Sequence, residues 1–198
     1  MIKFLNNSLE EPFIKLQSKY NKASNANQSS IEAISISSFN KDSNEVNSRL
    51  VNLKFIDEDK FIFFSNYNSP KSDEFDTHNQ ISAIIFWQSI NTQIRMKAKI
   101  KKTSKDFNER YFEQRSPEKN ALAISSTQSK IIESFEQVIE KYNDVKVNYD
   151  LQECPEYWGG FMFIPYEIEF WEGGKHRLNK RNLYKHFDNK WHHYILEP

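Results

Sequence analysis

Residues 169–181 read "EFWEGGKHRLNKR", and two of the chain's four glycines lie side by side in this stretch. Because glycine can adopt positive φ without a Cβ clash, Gly173 and Gly174 predict a tight turn between two strands. Trp171 before the turn and Arg177 after it supply an aromatic wall and a fork-shaped donor, which suit a planar anionic ligand. Taken alone, the stretch predicts a hairpin whose basic arm either lies in solvent or binds such a ligand.

The composition limits the classes of protein to which the chain can belong. Its 198 residues suit one domain, and 27 Lys and Arg balance 27 Asp and Glu, so no overall field draws it to nucleic acid or a membrane surface. The single cysteine, Cys154, excludes an intrachain disulfide, and the opening "MIKFLNNSLEE" has too short an apolar run for a signal peptide. The longest apolar run, "AIIFW" at 83–87, is far shorter than the roughly 20 residues of a membrane helix. We therefore expect a cytoplasmic protein without nucleic-acid or membrane partners.

Most of the chain after residue 30 has the pattern of β-strands. The stretch "TQIRMKAKIKK" at 92–102 alternates strictly between apolar residues and cations, which predicts one buried and one wet face. Because no aromatic residues interleave with these cations, a solvated face is a better interpretation than a nucleic-acid patch. The other strand-like stretches are "AISIS" (33–37), "RLVNLKFID" (49–57), "KFIFFSN" (60–66), "ISAIIFW" (81–87), "GGFMFIPYEIEFW" (159–171), "HRLNKRNLYKHF" (176–187) and "KWHHYILEP" (190–198).

Helical spacing of apolar residues marks three further stretches. A first helix is predicted at 11–22, and a polar connection follows to residue 30. Two more helices are predicted at 105–114 and 129–142. Six or more strands with a few helices at the periphery predict a mainly β, antiparallel barrel that occupies 1–198 as a single domain.

Familiar catalytic and metal-binding motifs are absent from the sequence. It contains no GxxxxGK phosphate loop, no GxGxxG, no CxxC, no HExxH and no spacing that marks a nucleophile elbow. His192 and His193 are adjacent on a predicted strand and therefore point to opposite faces, which does not suit a shared metal ion. We expect no metal site and assign both histidines to surface or packing roles.

A longer pattern connects the polar residues near the strand ends. Its pieces are, in chain order, "RLVNLK" (49–54), "FSNYNSPK" (64–71), Gln93, "YFEQR" (111–115), "TQS" (127–129) and "WGGF...EIEFWEGGKHRL..R..Y" (158–184). In this order and at these separations, residues 30–198 resemble the pyridoxine (pyridoxamine) 5′-phosphate oxidase family. The resemblance implies the antiparallel split-barrel fold, an FMN cofactor and a homodimer.

The resemblance also implies a cofactor site to which two subunits contribute. Trp171 and Arg181 match positions that reach the flavin of the neighbouring subunit, and Gln93 matches a position that hydrogen-bonds the flavin ring. The FMN phosphate and ribityl chain are assigned to Arg49, Lys71, Gln128 and Ser129. The lining of the flavin is assigned to Leu50, Val51, Asn52, Leu53, Lys54, Phe64 and Ser65. On this reading, Gly173 and Gly174 turn the chain so that both arms of the hairpin face a flavin and its substrate.

A substrate pocket beside the flavin is implied in the same way. Arg177 matches the arginine that lies against the substrate's pyridine ring, which makes it the catalytic candidate. The implied reaction is the FMN-dependent oxidation of pyridoxine or pyridoxamine 5′-phosphate to pyridoxal 5′-phosphate, with O2 reduced to H2O2. The implied substrate-binding residues are Lys54, Tyr111, Arg115, Lys119, Arg177, Leu178 and Asn179.

Three positions and one segment depart from the family's pattern. Pro70 stands where the family usually has arginine, Lys119 where it has serine, and Asn179 where it has histidine. The Arg-x-x-Tyr segment that closes over the substrate in some members has no match before residue 20. The stretch "SPKSDE" at 69–74 nevertheless predicts a helix start, whose backbone N–H groups suit a phosphate.

Three functions stay open at this point. The first is the oxidase, and the second is another split-barrel flavin oxidoreductase with a changed substrate, which Asn179 and the missing segment favour. The third is a protein that holds FMN or pyridoxal 5′-phosphate without turnover. Retention of both phosphate sites favours the first over the second, whereas only turnover separates the first from the third.

Overall fold

A computed structural model describes residues 1–198, which form ten strands and five α-helices. The strands are β1 (Lys3–Phe4), β2 (Ala33–Asn40), β3 (Glu45–Asn52), β4 (Phe55–Asp57), β5 (Lys60–Asn66), β6 (Gln80–Trp87), β7 (Thr92–Lys102), β8 (Trp158–Glu172), β9 (Lys180–Phe187) and β10 (Lys190–Leu196). The helices are α1 (Glu11–Asn25), α2 (Pro70–Thr77), α3 (Lys105–Glu113), α4 (Pro117–Ser125) and α5 (Phe135–Asn148). None of the helices has the length and apolar composition that a membrane crossing needs.

All ten strands belong to one hydrogen-bonded sheet. Its order is β1-β4-β5-β8-β7-β6-β2-β3, and β9 and β10 extend from β8 as a further antiparallel pair. Every pairing is antiparallel except that of β1 with β4. The path ends at β1 and β3 without closing. The predicted mainly β, antiparallel architecture with helices at its periphery is confirmed.

A single cluster of 26 buried hydrophobic residues fills the concave side of the sheet. Alternation along β7 behaves as predicted, because Ile94, Met96 and Ala98 are buried while Arg95 and Lys97 are exposed. Phenylalanines on β5 and β8 stack across the strand pair, with ring centroids 5.0 Å apart for Phe61–Phe163 and 5.6 Å apart for Phe63–Phe161. Such cross-strand aromatic pairs fix the register of β5 against β8.

The N-terminal residues enter the sheet before the first helix begins. Strand β1, which the sequence pattern did not predict, pairs with β4 through a bond from the Lys3 amide to the Lys54 carbonyl at 2.9 Å. Ile2 is buried, and its amide donates to the Tyr20 hydroxyl of α1 at 3.1 Å. Residues 1–30 therefore hold one edge of the sheet as well as supplying the predicted helix.

The helix predicted at 129–142 begins six residues later than expected. Ser134 is the N-cap of α5, and its hydroxyl accepts from the Gln137 amide at 3.4 Å. Ser129 adopts φ 69°, which is incompatible with a helix there. The apolar residues at 131 and 132 fit helical spacing and led to the early predicted start, but they precede the helix. Helix α4 was not predicted, although its Ser-Pro start is a known N-terminal signal.

The turn in the opening stretch forms for a different reason from the one predicted. Neither Gly173 nor Gly174 has positive φ, whereas His176 and Arg177 do, at 55° and 65°. Glycine is required instead by close approach, because a Cβ on Gly174 would lie 2.1 Å from the Leu178 carbonyl oxygen. The left-handed pair after the glycines therefore bends the loop between β8 and β9.

A second pair of glycines leads to a stability prediction. A Cβ on Gly159 would lie 2.1 Å from the Tyr67 hydroxyl and 2.3 Å from Asn108 Nδ2, within a buried hydrogen-bonded group. We expect Gly159→Ala to lower the free energy of unfolding by about 2 kcal/mol or more, because this group cannot shift without losing its bonds. Tyr67→Phe, which removes only a hydroxyl, should cost about 1 kcal/mol. Urea denaturation of both variants measures the difference, and wild-type stability in Gly159→Ala would contradict the close approach.

Candidate functional site

The largest cavity, of about 660 Å³, lies where β3 and β5 meet helices α2, α3 and α4. The sequence assigned fourteen positions to FMN and seven to substrate, with Lys54 in both sets, and ten of the fourteen and four of the seven line the cavity. The lining residues are Lys3, Arg49, Leu50, Val51, Asn52, Lys54, Phe64, Ser65, Lys71, Tyr111, Gln114, Arg115, Ser116, Lys119, Gln128, Ser129 and Trp158. The sequence pattern thus predicted residues from two strands, three helices and the loops between them that line one cavity.

The charge of the lining is entirely positive. Six of the lining side chains are cationic and none is a carboxylate. A chain with equal numbers of acidic and basic residues has therefore concentrated positive charge in one concave surface. Such a surface suits a ligand that carries one or more phosphate groups. The cationic lining residues are Lys3, Arg49, Lys54, Lys71, Arg115 and Lys119.

Lys71 is held at one end of the cavity by hydroxyl groups alone. Helix α2 begins at Pro70 after the N-cap Ser69, as predicted, and this start directs Lys71 inward, where only 7% of it is exposed. Its Nζ donates to Ser69 Oγ at 3.0 Å and to Ser65 Oγ at 3.3 Å. Burial, with a smaller contribution from Arg49, lowers the pKa of Lys71 to about 8. A buried ammonium without a carboxylate partner at a helix N-terminus is ready to bind an anion.

Ser65 connects Lys71 to the loop after α4. The Ser65 hydroxyl donates to Gln128 Oε1 at 3.0 Å, and the Asn66 amide donates to the same oxygen at 3.3 Å. Ser129, the next residue, takes a left-handed backbone conformation that is uncommon outside glycine. These contacts bring the predicted phosphate residues Lys71, Gln128 and Ser129 to one end of the cavity.

Arg49 lines the same end but is already paired. Its Nη2 donates to Glu74 Oε2 at 2.7 Å, and Asn47 Nδ2 donates to Glu74 Oε1 at 2.8 Å. Burial by itself would raise the pKa of Glu74, but hydrogen bonds from Ser38, Asn47 and Arg49 hold that pKa below its usual value. Because Glu74 neutralises Arg49, Lys71 is the main uncompensated positive charge at this end.

Aromatic side chains form the wall of the other end. The rings of Phe64 and Tyr111 stack with centroids 4.1 Å apart, and Phe64 stacks on Trp158 at 5.1 Å. The Arg115 guanidinium lies over the Trp158 ring at 4.3 Å, a cation–π contact. Burial raises the pKa of Tyr111, so its hydroxyl stays a hydrogen-bond donor across the neutral pH range.

Arg115 has a donor that the protein leaves unused. Its Nη2 donates to the Lys119 carbonyl at 3.0 Å, whereas Nη1 is buried and has no partner. A buried guanidinium nitrogen without a partner is costly, so such a group indicates a ligand. Lys3 of β1 and Lys54, just before β4, line the cavity with Arg115 and Lys119. This end therefore has the donors that a second phosphate requires.

Three predicted flavin residues form a row elsewhere on the sheet. Gln93 of β7 lies opposite Trp171 of β8, and Trp171 lies opposite Arg181 of β9. Facing partners in adjacent strands point to the same side of a sheet, so the three side chains share one surface. None of them lines the cavity.

The remaining predicted substrate residues lie beyond the same end of β8. Arg177 and Leu178 are exposed in the loop before β9, and Leu178 is 71% exposed. Asn179 is half-buried, and its Oδ1 accepts from the Gly174 amide at 3.2 Å. Leu53, assigned to the flavin lining, is instead fully buried in the core and does not line the cavity.

Strand β8 separates the two groups of residues. Trp158, at its first position, lines the cavity, and Trp171 lies 13 residues further on. At about 3.3 Å per residue, the path along the strand is on the order of 40 Å. Within one chain, the row containing Trp171 therefore lies at the opposite end of β8 from the cavity.

Four residues of the cavity were not predicted from the sequence. Gln114 and Ser116 flank the predicted Arg115, and Trp158 belongs to the quoted "WGGF" stretch, so a local signal existed for each. Lys3 had none, because it reaches the cavity through the pairing of β1 with a strand about 50 residues away.

Comparisons with known proteins show one matching family model and similar curated relatives. Residues 158–198 match the family model described as the pyridoxine 5′-phosphate oxidase C-terminal dimerisation region. A pyridoxine/pyridoxamine 5′-phosphate oxidase from Nostoc sp. (strain PCC 7120) is 34% identical over 190 residues, which cover 94% of this chain and 88% of that one.

Two solved structures share the fold. PhzG from Burkholderia lata 383, solved with tetrahydrophenazine-1-carboxylic acid, matches with a TM-score of 0.89 and 23% identity, over 96% of this chain and 93% of that one. A pyridoxamine 5′-phosphate oxidase-related, FMN-binding protein from Nostoc punctiforme matches with a TM-score of 0.78 and 11% identity, over 96% and 99% of the two chains. The predicted split-barrel fold is confirmed.

The buried charge of Lys71 leads to a prediction about the protein without ligand. We expect Lys71→Met to raise the free energy of unfolding at pH 7 by about 2 kcal/mol, because the variant no longer buries an ammonium group. The folded-state pKa of about 8 lies below the usual 10.5, so the unfolded chain binds more protons between these values. Wild-type stability should therefore approach that of the variant as the pH rises from 8 toward 10. A stability difference that stays constant over this range, measured by urea denaturation, would contradict the assignment.

Proposed function

The chain belongs to the pyridoxine/pyridoxamine 5′-phosphate oxidase family, and on this premise we propose that it oxidises pyridoxine or pyridoxamine 5′-phosphate to pyridoxal 5′-phosphate. In this proposal the 198 residues form one FMN-binding domain, which acts in the cytoplasm as a homodimer and reduces O2 to H2O2. The single observation that carries the proposal is the cavity lined by six cations and no carboxylate.

The residues at the Lys71 end fit the phosphate of FMN. Lys71 is a buried ammonium that contacts only hydroxyl groups, so a phosphate would supply its missing counter-charge. Gln128 and Ser129 line the same end and are assigned to the phosphate and the ribityl chain. Pro70, which replaces the family's usual arginine, is the first residue of helix α2, and a helix N-terminus favours an anion such as phosphate.

FMN, when bound, would supply the redox chemistry of the proposed reaction, which is the oxidation of the substrate at its 4′ carbon with O2 as the final electron acceptor. The chain's own residues bind, orient and shield. Arg115, with its unused Nη1, and Lys54 and Lys119 would hold the substrate's phosphate. The Tyr111 hydroxyl would donate to a phosphate oxygen, while its ring and that of Phe64 form a dry wall beside it.

A second copy of the chain would complete the site. Gln93, Trp171 and Arg181 share one surface at the far end of β8, so they cannot reach the cavity of their own chain. Residues 158–198, which carry this surface, match a dimerisation region. Leu178 and Ile195 of the same region are 71% and 72% exposed, as expected for side chains that a partner covers. We assign Arg177 to the substrate ring and Leu178 and Asn179 to its surroundings in the partner's site.

A second candidate function differs from the first only in its substrate. Asn179 stands where the family usually has histidine. This change favours a related flavin oxidoreductase that acts on a different anionic substrate. Retention of Lys54, Tyr111 and Arg115 around one cavity favours the pyridoxine phosphate reaction.

The proposal is tested by turnover. Purified protein mixed with FMN and either pyridoxine or pyridoxamine 5′-phosphate should yield the aldehyde and hydrogen peroxide in equal amounts. Sedimentation of the same sample should show a dimer with one FMN per subunit. Tight FMN binding without aldehyde or peroxide would contradict the oxidase and leave two alternatives, an oxidoreductase with a different substrate or a binding protein. Absence of FMN binding would contradict the flavin proposal altogether.

Two arginine variants separate orientation from binding. Arg177→Ala should lower kcat by about tenfold or more and also raise KM, because the substrate ring loses its orientation, while FMN binding survives. Arg115→Ala should raise KM much more than it lowers kcat, because the phosphate contact is felt equally in ground state and transition state. Steady-state kinetics with flavin content checked in each variant makes the comparison. Wild-type kinetics in Arg177→Ala would contradict the assignment of Arg177 to the substrate ring and indicate a solvated loop cation.

A further inference from the structure

The outer surface of β7, β8 and β9 carries its polar residues in ordered rows. One row is Gln93–Trp171–Arg181, the next is Arg95–Glu169–Leu183, and the third is Lys97–Glu167–Lys185. Each row is formed by directly opposed residues on the three strands, so neighbouring rows are two residues apart along each strand. Glu169 and Glu167 therefore lie on the same face of β8 in adjacent rows, but their neighbours differ.

Glu169 is a buried carboxylate between two arginines. Only 7% of the residue is exposed, and its oxygens accept from Arg95 Nη2 and, at 2.8 Å, from Arg181 Nε. Burial by itself would raise the pKa of Glu169, but the hydrogen bonds from Arg181 and Arg95 hold that pKa below its usual value. The carboxylate is therefore charged at neutral pH and attracts both guanidinium groups.

Two contacts fix the plane of the Arg181 guanidinium. Nε donates to Glu169, and Nη1 donates to the Glu197 carbonyl oxygen at 3.0 Å. Because the guanidinium is planar and rigid, contacts at two of its nitrogens determine the direction of the third. Neither contact uses Nη2, and the residue directly opposite Arg181 is Trp171. Arg181, directly opposite Trp171, is thus held by two of its nitrogens and keeps Nη2 free of contacts within its own chain.

We propose that Glu169 is a positioning residue of the flavin site: it orients Arg181, which lies opposite Trp171, toward the FMN of the partner subunit. The inference rests on the proposed function, in which Arg181 reaches that flavin. Glu169 does not touch the ligand; it acts through Arg181. Arg95 balances the second carboxylate oxygen, so Glu169 can hold Arg181 without leaving a buried lone pair unsatisfied.

The row beside it supplies a matched control. Glu167 contacts Lys97 at 3.0 Å and Lys185 at 3.4 Å, and the side chains of both lysines are about half exposed. An ammonium is a compact charge on a flexible chain, so Glu167 holds neither lysine in a fixed direction. Glu167→Gln removes a carboxylate from the same strand and the same face without touching the Arg181 contacts.

The experiment measures FMN dissociation constants of the full chain by quenching of flavin fluorescence. Glu169→Gln should weaken FMN binding about tenfold, because Arg181 loses its charged anchor, whereas Glu167→Gln should change it less than twofold. In an Arg181→Ala background, Glu169→Gln should cause no further loss, since a positioning residue has nothing left to position. Arg181→Lys, a conservative change at a half-buried position, should bind FMN about as weakly as Arg181→Ala, because it keeps the charge but not the planar guanidinium.

The outcomes separate this inference from the proposed function. Equal effects of Glu169→Gln and Glu167→Gln, or losses that multiply in the Arg181→Ala background, overturn the positioning role while FMN binding by the wild type stands. Wild-type affinity in Arg181→Lys overturns it as well, even if Glu169→Gln does not fold. A wild-type chain that binds no FMN overturns the proposed function and the inference together.

Discussion

Strand β8 is the constraint on which the arrangement of this protein depends. Its 15 residues pair with β5 at the start, with β7 along almost the whole length and with β9 at the end. A strand this long carries Trp158 into the cavity and Trp171 away from it, so one chain divides the proposed flavin residues between two places. Two-fold association is the economical way for such a chain to bring both groups to one ligand.

The cavity concentrates unfavourable charge that a ligand would relieve. Lys71 is buried against hydroxyl groups, and Arg115 has a buried nitrogen without a partner. Desolvation of these cations lowers the stability of the folded protein, and the binding of a phosphate would offset this loss. Other buried charges are paired: Glu74 binds Arg49, and Glu169 binds two arginines. Lys71 and Arg115 differ from them because neither contacts a carboxylate.

Sequence patterns predicted the strands better than the helix boundaries and the turns. Strict alternation over 92–102 corresponds to strand β7, because period-two burial is imposed by the pleat. The apolar pair at 131–132 misplaced the start of α5, because helical spacing over a few residues also arises by chance outside a helix. Gly173 and Gly174 were correctly placed at a turn, but the left-handed residues are His176 and Arg177.

The sequence by itself determined the family, the split barrel and most residues of the cavity, because hydrophobic period and an ordered set of motifs are properties of the chain alone. The tertiary structure decided which of those residues meet. It separated Trp171 and Arg181 from Lys71, brought Lys3 to the cavity through β1, and paired Arg49 with Glu74. Contacts between residues tens of positions apart depend on strand order and register, which no local pattern encodes.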